Sequence, residues 1–249
     1  MNTKEYMDKL VKEYETENFI DADPVRFIHK LNEKKDIEIA GFIAAAFAYG
    51  SRKAFIPKLN HLYTIMNEKP YEFVMNFTKE NHSLDDFNYR FSKGVDIVQI
   101  LLILKELYKT ESLEKLFEHG WKQHGNVKGM QQTVIDYFYS RVELPVTKGF
   151  YHLLPNPSKN SACKRLNMFL RWMIRGGCVD HGIWKFMKPS NLLIPLDVHV
   201  ARVSRNLGLI TRKQNDYRTV IELTEKLKEF DPQDPVKYDF AMFGYGVNN

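Results

Sequence analysis

Apolar residues recur at helical spacing along nearly the whole chain, whereas the strict alternation typical of half-buried strands is scarce. The most apolar stretch, DIEIAGFIAAAFAY at 36–49, predicts a buried helix that ends at Gly50. Because this pattern dominates, we predict an all-α fold. The pattern predicts further helices at 3–17, 51–66, 70–77, 93–109, 112–118, 127–141, 161–175, 197–207, 215–229 and 234–243.

A turn-rich segment divides these helices into two groups. Residues 153–160, LLPNPSKN, contain two prolines and two asparagines, which favour turns over helix. We predict one helical unit over the whole chain, with lobes at approximately 36–152 and 153–213. The N-terminal helices (1–35) and the C-terminal helices (214–249) are expected to pack together.

The composition excludes several classes of protein. A chain of 249 residues can bury a core without disulfides, and its 44% of hydrophobic residues excludes a disordered chain. No apolar run approaches the roughly 20 residues of a membrane span, and the first residues do not resemble a signal peptide. The two cysteines, Cys163 and Cys178, are too few to form a zinc or iron–sulfur site alone. We therefore expect a cytoplasmic protein that uses no metal ion and no cofactor.

Positive charge is concentrated in one part of the chain. Residues 141–213 contain thirteen Lys and Arg but only three acids, which gives 13 − 3 = +10. Since the whole chain carries +5, the remaining residues sum to −5. Such a basic segment suits a polyanion such as nucleic acid, although a large domain can also have a basic face that only contacts solvent.

Two features of this basic segment suggest chemistry. Lys164, Met168, Arg171 and Arg175 are spaced so that they share one stripe of the helix predicted at 161–175. A solvated face is the alternative explanation of this stripe. Asp197 precedes an amphipathic helix, where it can serve as an ordinary N-cap.

The segment around Asp197 carries a family resemblance. The run PLDVHVAR at 195–202 resembles the aspartate motif of the helix-hairpin-helix DNA glycosylase superfamily, and SACKRLNMFLRWMIR at 161–175 places Lys164 where bifunctional members carry their nucleophile. The separation of Lys164 and Asp197 is closer to the archaeal 8-oxoguanine glycosylases than to the endonuclease III type. The chain also resembles a bacterial family recorded only as a domain of unknown function.

The resemblance implies a two-lobed helix-hairpin-helix DNA glycosylase-like fold. It also implies excision of a damaged base, such as an oxidised purine, with Schiff-base abasic-site lyase activity. Lys164 would be the nucleophile, and Asp197 would activate it and stabilise the cationic transition state. The partner would be damaged double-stranded DNA, with no membrane and no obligate protein partner.

Three departures from the family pattern affect how DNA is bound. The hairpin reads LPNPSKNSACKR, with no glycine between Leu154 and Gly176 to let backbone N–H groups approach a phosphate. The early segment at 48–51, AYGS, lacks the family's glutamine, and the four cluster cysteines of the endonuclease III type are absent. Lesion choice and the mode of DNA binding are therefore the features that the resemblance specifies least.

We expect the remaining site residues to bind DNA or to receive the extruded base, which has to leave the stack before it can react. A protein that keeps the fold but only binds nucleic acid is the main alternative, and a purely structural helical protein is a third. The predicted nucleic-acid contacts are Lys159, Asn160, Ser161, Arg165, Arg171, Arg175, Arg202 and Arg205. The predicted base pocket consists of Tyr49, Met168, Trp172 and Phe240.

Overall fold

A computed structural model describes residues 2–248, and most of them are helical, which confirms the all-α prediction. The described residues form fourteen α-helices and a single two-stranded hairpin. The helices are α1 (Thr3–Tyr14), α2 (Glu17–Ile20), α3 (Arg26–His29), α4 (Lys34–Phe47), α5 (Arg52–Ile65), α6 (Pro70–Asn76), α7 (Gly94–Thr110), α8 (Leu113–His124), α9 (Val127–Tyr139), α10 (Lys148–Leu153), α11 (Lys164–Ile174), α12 (Val198–Asn206), α13 (Tyr217–Lys228) and α14 (Tyr238–Asn248). The strands are β1 (Asn88–Tyr89) and β2 (Ser92–Lys93).

The chain divides into two compact units. The first consists of the N-terminal residues up to Val25 together with the residues from Pro157 onward. The second is Arg26–Asn156. Each unit has its own set of buried apolar side chains, as expected where helices pack their apolar faces together.

The second unit is built around α4, whose side chains from Ile37 to Phe47 are all buried. Phe42 stacks on Phe138 of α9, with ring centroids 5.2 Å apart. The buried carboxylate of Glu38 accepts a hydrogen bond of 2.6 Å from the Tyr108 hydroxyl of α7. A buried polar group of this kind needs such a partner, since leaving it unpaired in the core is costly.

The hairpin of β1 and β2 lies just before α7, where the sequence predicts no regular element. Its strands pair antiparallel, with Asn88 opposite Lys93 and Tyr89 opposite Ser92. Asp96, completely buried, accepts hydrogen bonds from the Lys93 and Thr147 backbone N–H groups and from the Thr147 hydroxyl. These bonds connect the hairpin to the start of α10, so a short local element is stabilised by a distant segment.

The first unit brings the two ends of the chain together. Helix α14 packs against both α1 and α12. The largest side chains in its core, Trp172, Trp184, Phe169 and Phe240, are completely buried. Trp184 belongs to the long connection between α11 and α12, and its backbone N–H donates to the carbonyl of Met173 at 2.8 Å. The connection is thereby held against α11.

Helix α11 begins three residues later than the sequence pattern predicts. Cys163, the residue before it, has a left-handed backbone with φ of 46°, and its N–H donates to Ser161 Oγ at 3.2 Å. A non-glycine residue rarely adopts this conformation, and it cannot continue a right-handed helix. Lys164 is therefore the first residue of α11.

Among residues 2–248, no helix is both long and apolar enough to cross a lipid bilayer.

Candidate active site

A small pocket in the first unit brings together the two residues that the sequence motif singles out. It encloses about 10 Å³, which is the room of roughly one water molecule. A larger ligand must therefore displace some of the lining side chains. The pocket is lined by Phe19, Asp23, Lys164, Met168, Arg171, Pro195, Asp197, Asp239 and Phe243.

Lys164 reaches this pocket from the first turn of α11. Its Nζ lies 3.2 Å from the sulfur of Met168, one helical turn further along. A thioether is only a weak hydrogen-bond acceptor. Among residues 2–248, no carboxylate lies within ion-pair distance of this ammonium group. The Lys164 side chain is thus half-buried beside carboxylates without being fixed to one of them.

Asp197 is the N-cap of α12, as its local sequence predicts. Its Oδ1 accepts hydrogen bonds of 2.8 Å from the backbone N–H groups of both His199 and Val200. No residue in the described part of the chain donates to the other oxygen, Oδ2. Asp197 therefore caps a helix with one oxygen and lines the pocket as well.

Arg171 forms the buried side of the pocket. Its guanidinium donates to Asp180 Oδ1 at 3.2 Å and forms a second, short ion pair with Asp239. The side chain is only 3% exposed, and it lies over the Phe240 ring at 4.2 Å from the centroid. The structure thus places Arg171 in buried ion pairs, whereas the sequence predicts a contact with nucleic acid for this residue.

Arg175 is buried in the same network. It donates to Asp180 Oδ2 at 3.0 Å and to Asp234 Oδ2 at 2.8 Å, and it also pairs with Glu15. Three carboxylates surround this cation, so they raise the pKa of its guanidinium further above the usual value despite its burial. Arg175 therefore ties the C-terminal end of α11 to Glu15, Asp180 and Asp234, whereas the sequence predicts a phosphate contact for it.

Asp239 is the pocket residue whose charge state departs most from the ordinary. Burial raises the pKa of Asp239 to about 7, because a low-dielectric surrounding disfavours the ionised carboxyl and Arg171 offsets only part of this effect. The nearby negative charges of Asp197 and Asp23 raise it further, whereas Lys164 lowers it. A carboxyl with a pKa near 7 can take up or release a proton at neutral pH.

The sequence patterns do not point to several residues that line the pocket. Asp239 lies within YDFAMFGYG, where a single acid in an otherwise apolar helix is the one signal that could have identified it. Asp23 has the features of a helix cap, and its Oδ1 indeed accepts from Val25 N–H at 3.0 Å. Phe19 and Phe243 carry no distinguishing pattern, since apolar residues at such positions are usually core. Pro195 begins the motif at 195–202, although the motif does not assign it to a pocket.

The predicted base-pocket residues separate into two groups. Met168 lines the pocket, but Trp172 and Phe240 are completely buried in the core of the unit and do not line it. Phe240 instead supports the wall, with its ring centroid 5.2 Å from that of Phe19. Tyr49 belongs to the second unit, where its hydroxyl is 3.0 Å from both the Tyr89 carbonyl and Ser92 Oγ. The aromatic walls observed in this pocket are Phe19 and Phe243.

The glycine-free hairpin is built by residues that tolerate unusual backbone angles. Asn160 takes a left-handed conformation with φ of 58°, which asparagine accepts more readily than most residues. Its side-chain amide donates to Asp216 Oδ2 at 3.0 Å, and Ser161 Oγ accepts from Cys163 N–H. Both predicted phosphate-binding side chains thus stabilise the turn itself. Lys159 is exposed beside them.

The other predicted DNA contacts lie nearer the surface. Arg205 is held by the connection that follows α12, donating to the carbonyls of Arg212 and Lys213 and to the Asn215 side chain. Arg202 is exposed but donates to the Gly246 carbonyl at 2.6 Å, and Arg165 is half-buried. Of the eight predicted contacts, Lys159, Asn160 and Arg202 are the exposed residues.

The pocket carboxylates do not resemble a metal centre. In the described part of the chain, no group of three or more His, Cys, Asp or Glu side chains is arranged to hold a metal ion. Arg171 and Lys164 lie among the pocket carboxylates and supply the positive charge there.

Comparison with known proteins identifies the family but no named activity. No curated protein and no solved structure is significantly similar to the chain. A family model described as "Protein of unknown function (DUF2400)" matches residues 23–248, which is most of the sequence. The matched region includes Asp23, Lys164, Asp197 and Asp239. The chain therefore belongs to the DUF2400 family.

Proposed function

We propose that this protein is a DNA glycosylase that excises a damaged base and then cleaves the strand through a Schiff base on Lys164. The observation that carries the proposal is the presence of Lys164 and Asp197 in one pocket, although they are 33 residues apart in sequence. A protein that only binds DNA would not require this juxtaposition.

The two side chains have complementary roles in this chemistry. Breaking the N-glycosidic bond develops positive charge on the sugar, which the carboxylate of Asp197 can stabilise electrostatically. The Lys164 amine can then attack C1′, and the resulting iminium ion allows β-elimination of the 3′ phosphate. Oδ2 of Asp197 receives no hydrogen bond from the described residues, so it can face the sugar while Oδ1 keeps its place at the helix cap.

Duplex DNA with a damaged base, such as an oxidised purine, is the proposed substrate. Exposed Lys and Arg side chains of the first unit can neutralise DNA phosphates. Within residues 157–213 they outnumber the two buried arginines, Arg171 and Arg175. These exposed residues are Lys159, Lys185, Lys188, Arg202 and Lys213. The damaged base would enter by displacing lining side chains, because the enclosed space is only about 10 Å³.

Borohydride trapping on a duplex that carries one abasic site tests this function. The wild type should form a covalent adduct, because borohydride reduces the Schiff base to a stable amine. Lys164→Arg keeps the positive charge but cannot form a Schiff base, so we expect normal binding and no adduct. Lys9→Ala, which removes an exposed lysine of α1, serves as the matched control and should behave like the wild type.

The outcome separates the enzyme from its main alternative. If the wild type gives no adduct but binds DNA in a salt-dependent way, the chain is a binding module or a glycosylase that uses water as its nucleophile. If Lys164→Arg still gives the adduct, another amine is the nucleophile and the assignment of Lys164 is wrong.

A further inference from the structure

We propose that Asp239 is the proton-transfer residue of the pocket, taking the proton that Lys164 must lose before it can attack. This inference rests on the proposed function, and it deepens it by adding a third residue to the reaction. Neither the sequence motif nor the family assigns a role to this carboxyl.

The position of Asp239 suits this role. It lies on α14, 75 residues from Lys164 in sequence (239 − 164), and both side chains line the same pocket. Its Oδ2 is paired with Arg171, whereas no described residue donates to Oδ1. One oxygen is thus fixed, and the other can exchange a proton with Lys164 through one water molecule, for which the pocket has room.

Asp197 is less suited to carrying that proton. Its Oδ1 already accepts two backbone N–H groups, which hold the carboxylate in place as the cap of α12. A carboxylate with this arrangement is well placed to stabilise positive charge on the sugar. The two carboxylates therefore have different surroundings, which favours different roles for them.

The charges around the pocket favour a protonated carboxyl. Arg171 forms ion pairs with two buried carboxylates, those of Asp180 and Asp239, so one positive charge faces two negative charges there. Asp239 is buried and shares Arg171 with Asp180, and its raised pKa agrees with this imbalance.

Several other charged or polar groups near α14 have partners elsewhere. Asp8 of α1 accepts from the Tyr238 hydroxyl at 2.8 Å, and Lys237 pairs with Asp231 at 2.6 Å. On α12, His199 and Arg202 both contact the Gly246 carbonyl. The groups that act on Asp239 are thus Arg171 and Lys164 from α11, Asp197 from the start of α12, and Asp23.

Asp239 takes up one proton before the attack and gives one back after it. The Lys164 ammonium gives a proton to the Asp239 carboxylate, and the free amine adds to the C1′ aldehyde of the abasic sugar. The second N–H proton moves to the new oxygen during this addition, which gives a carbinolamine. Asp239 then returns its proton to the carbinolamine hydroxyl, which leaves as water. The products are the iminium ion, one water molecule and the original carboxylate.

The test is the pH dependence of adduct formation on the abasic duplex, measured between pH 5.5 and 9. In the wild type the rate of adduct formation should rise with pH and level off near pH 7, where Asp239 is deprotonated. Asp239→Asn should be roughly 100-fold slower at pH 7, in the range that general acid–base catalysis contributes. Its rate should continue to rise up to pH 9, as hydroxide replaces the missing base.

Asp234→Asn is the matched control. Asp234 is also a carboxylate paired with a buried arginine, Arg175 at the C-terminal end of α11, but it does not line the pocket. This variant should keep the wild-type pH profile. Equal effects of the two substitutions would show that the ion-pair network, rather than proton transfer, is responsible, and would overturn the inference.

The remaining outcomes are also decisive. An Asp239→Asn profile identical to the wild type, with the adduct present in both, overturns the inference alone. No adduct in the wild type overturns the lyase function and the inference with it. If Asp239→Asn fails to fold, ¹³C NMR of the wild-type aspartate carboxyls decides: one must titrate near pH 7, and the inference fails if none does.

Discussion

Several side chains in the pocket have a structural partner as well as a place in the proposed chemistry. Asp197 caps α12 through one oxygen, and Asp239 is held by Arg171 through one oxygen. In each carboxylate, the bonded oxygen fixes the side chain and the second oxygen receives no hydrogen bond from residues 2–248. Such fixed side chains favour catalysis, because little reorganisation is needed when charge develops.

The cap and the chemistry of Asp197 can be separated by two substitutions. Asparagine caps a helix about as well as aspartate, so Asp197→Asn should change the free energy of unfolding by less than about 0.5 kcal/mol. It removes the charge, however, and should lower base excision by roughly 100-fold or more. Asp197→Ala should also lose about 1 kcal/mol of stability. Urea unfolding measures the stabilities, and single-turnover kinetics measure base excision. Equal stability of Asp197→Asn and Asp197→Ala would contradict the role of Asp197 as the N-cap of α12.

The raised pKa of Asp239 predicts a pH dependence of stability. Its folded-state pKa of about 7 lies above the ordinary value of 3.8, so the folded protein binds the proton more tightly than the unfolded chain. The contribution of Asp239 to stability must therefore fall as pH rises from about 4 to about 7, and it stays constant above that. The span of about three pKa units sets an upper limit of about 4 kcal/mol.

Comparing the wild type with Asp239→Asn isolates this effect, because all other titrating groups are shared. Between pH 4 and pH 7 the wild type should lose unfolding free energy relative to Asp239→Asn, because only the wild type has this titrating carboxyl. Urea titrations at intervals of half a pH unit measure it. A difference that is constant over this range would contradict the raised pKa.

Helices in this protein begin and end where specific backbone contacts require it. Cys163 prevents α11 from starting earlier, and this places Lys164 in the first turn of the helix. The start of α7 is defined even more tightly: a Cβ at Gly94 would lie 1.8 Å from the Leu84 carbonyl oxygen. Residues 84–87 therefore cross the N-terminus of α7 at a distance that only glycine permits.

This close approach makes Gly94→Ala a test of the α7 start. The added methyl group meets backbone that cannot move aside cheaply, so the free energy of unfolding should fall by about 3 kcal/mol. Gly176→Ala is the control, since no atom lies within 4 Å of its added Cβ and its φ is not positive. Its effect should stay within about 0.5 kcal/mol. Urea unfolding measures both, and similar losses would contradict this interpretation.

Charge over the whole molecule is distributed differently from what the sequence count implies. Two of the thirteen cations in residues 141–213, Arg171 and Arg175, are buried in ion pairs, so carboxylates within the protein already compensate their charge. Breaking these pairs would instead leave uncompensated buried carboxylates, which is strongly destabilising. The proposed binding of DNA would therefore depend on the exposed cations.

Lys159 is the residue with which the role of the exposed cations in DNA binding can be tested. If it contacts a phosphate, Lys159→Ala should weaken DNA binding and reduce the slope of log affinity against log salt by about 0.9. Lys9→Ala removes the same charge from α1, outside the basic segment, and should leave the slope unchanged. Fluorescence anisotropy between 50 and 200 mM salt measures both slopes, and equal slopes for the two variants would contradict a phosphate contact at Lys159.

Much of the architecture follows from local sequence. The buried helix at 36–49, the turn near 153–160 and the cap at Asp197 all appear in the structure close to their predicted places. Each depends on the spacing of neighbouring residues, which is visible in the sequence. The hairpin of β1 and β2 could not be predicted in this way, because its stability depends on Thr147, more than 50 residues further along.

The all-helical class, the shared stripe of Lys164, Met168 and Arg171, and the cap at Asp197 were determined by the sequence, because periodicity and capping act over a few residues. The tertiary structure decided which charges are buried and which lie in the pocket. Asp239 pairs with Arg171 across 68 residues, and α14 carries it there by packing on α1 and α12. No local pattern encodes such a contact, since it depends on where distant helices meet. The same packing buries Arg171 and Arg175 in ion pairs, which the spacing of these residues does not reveal.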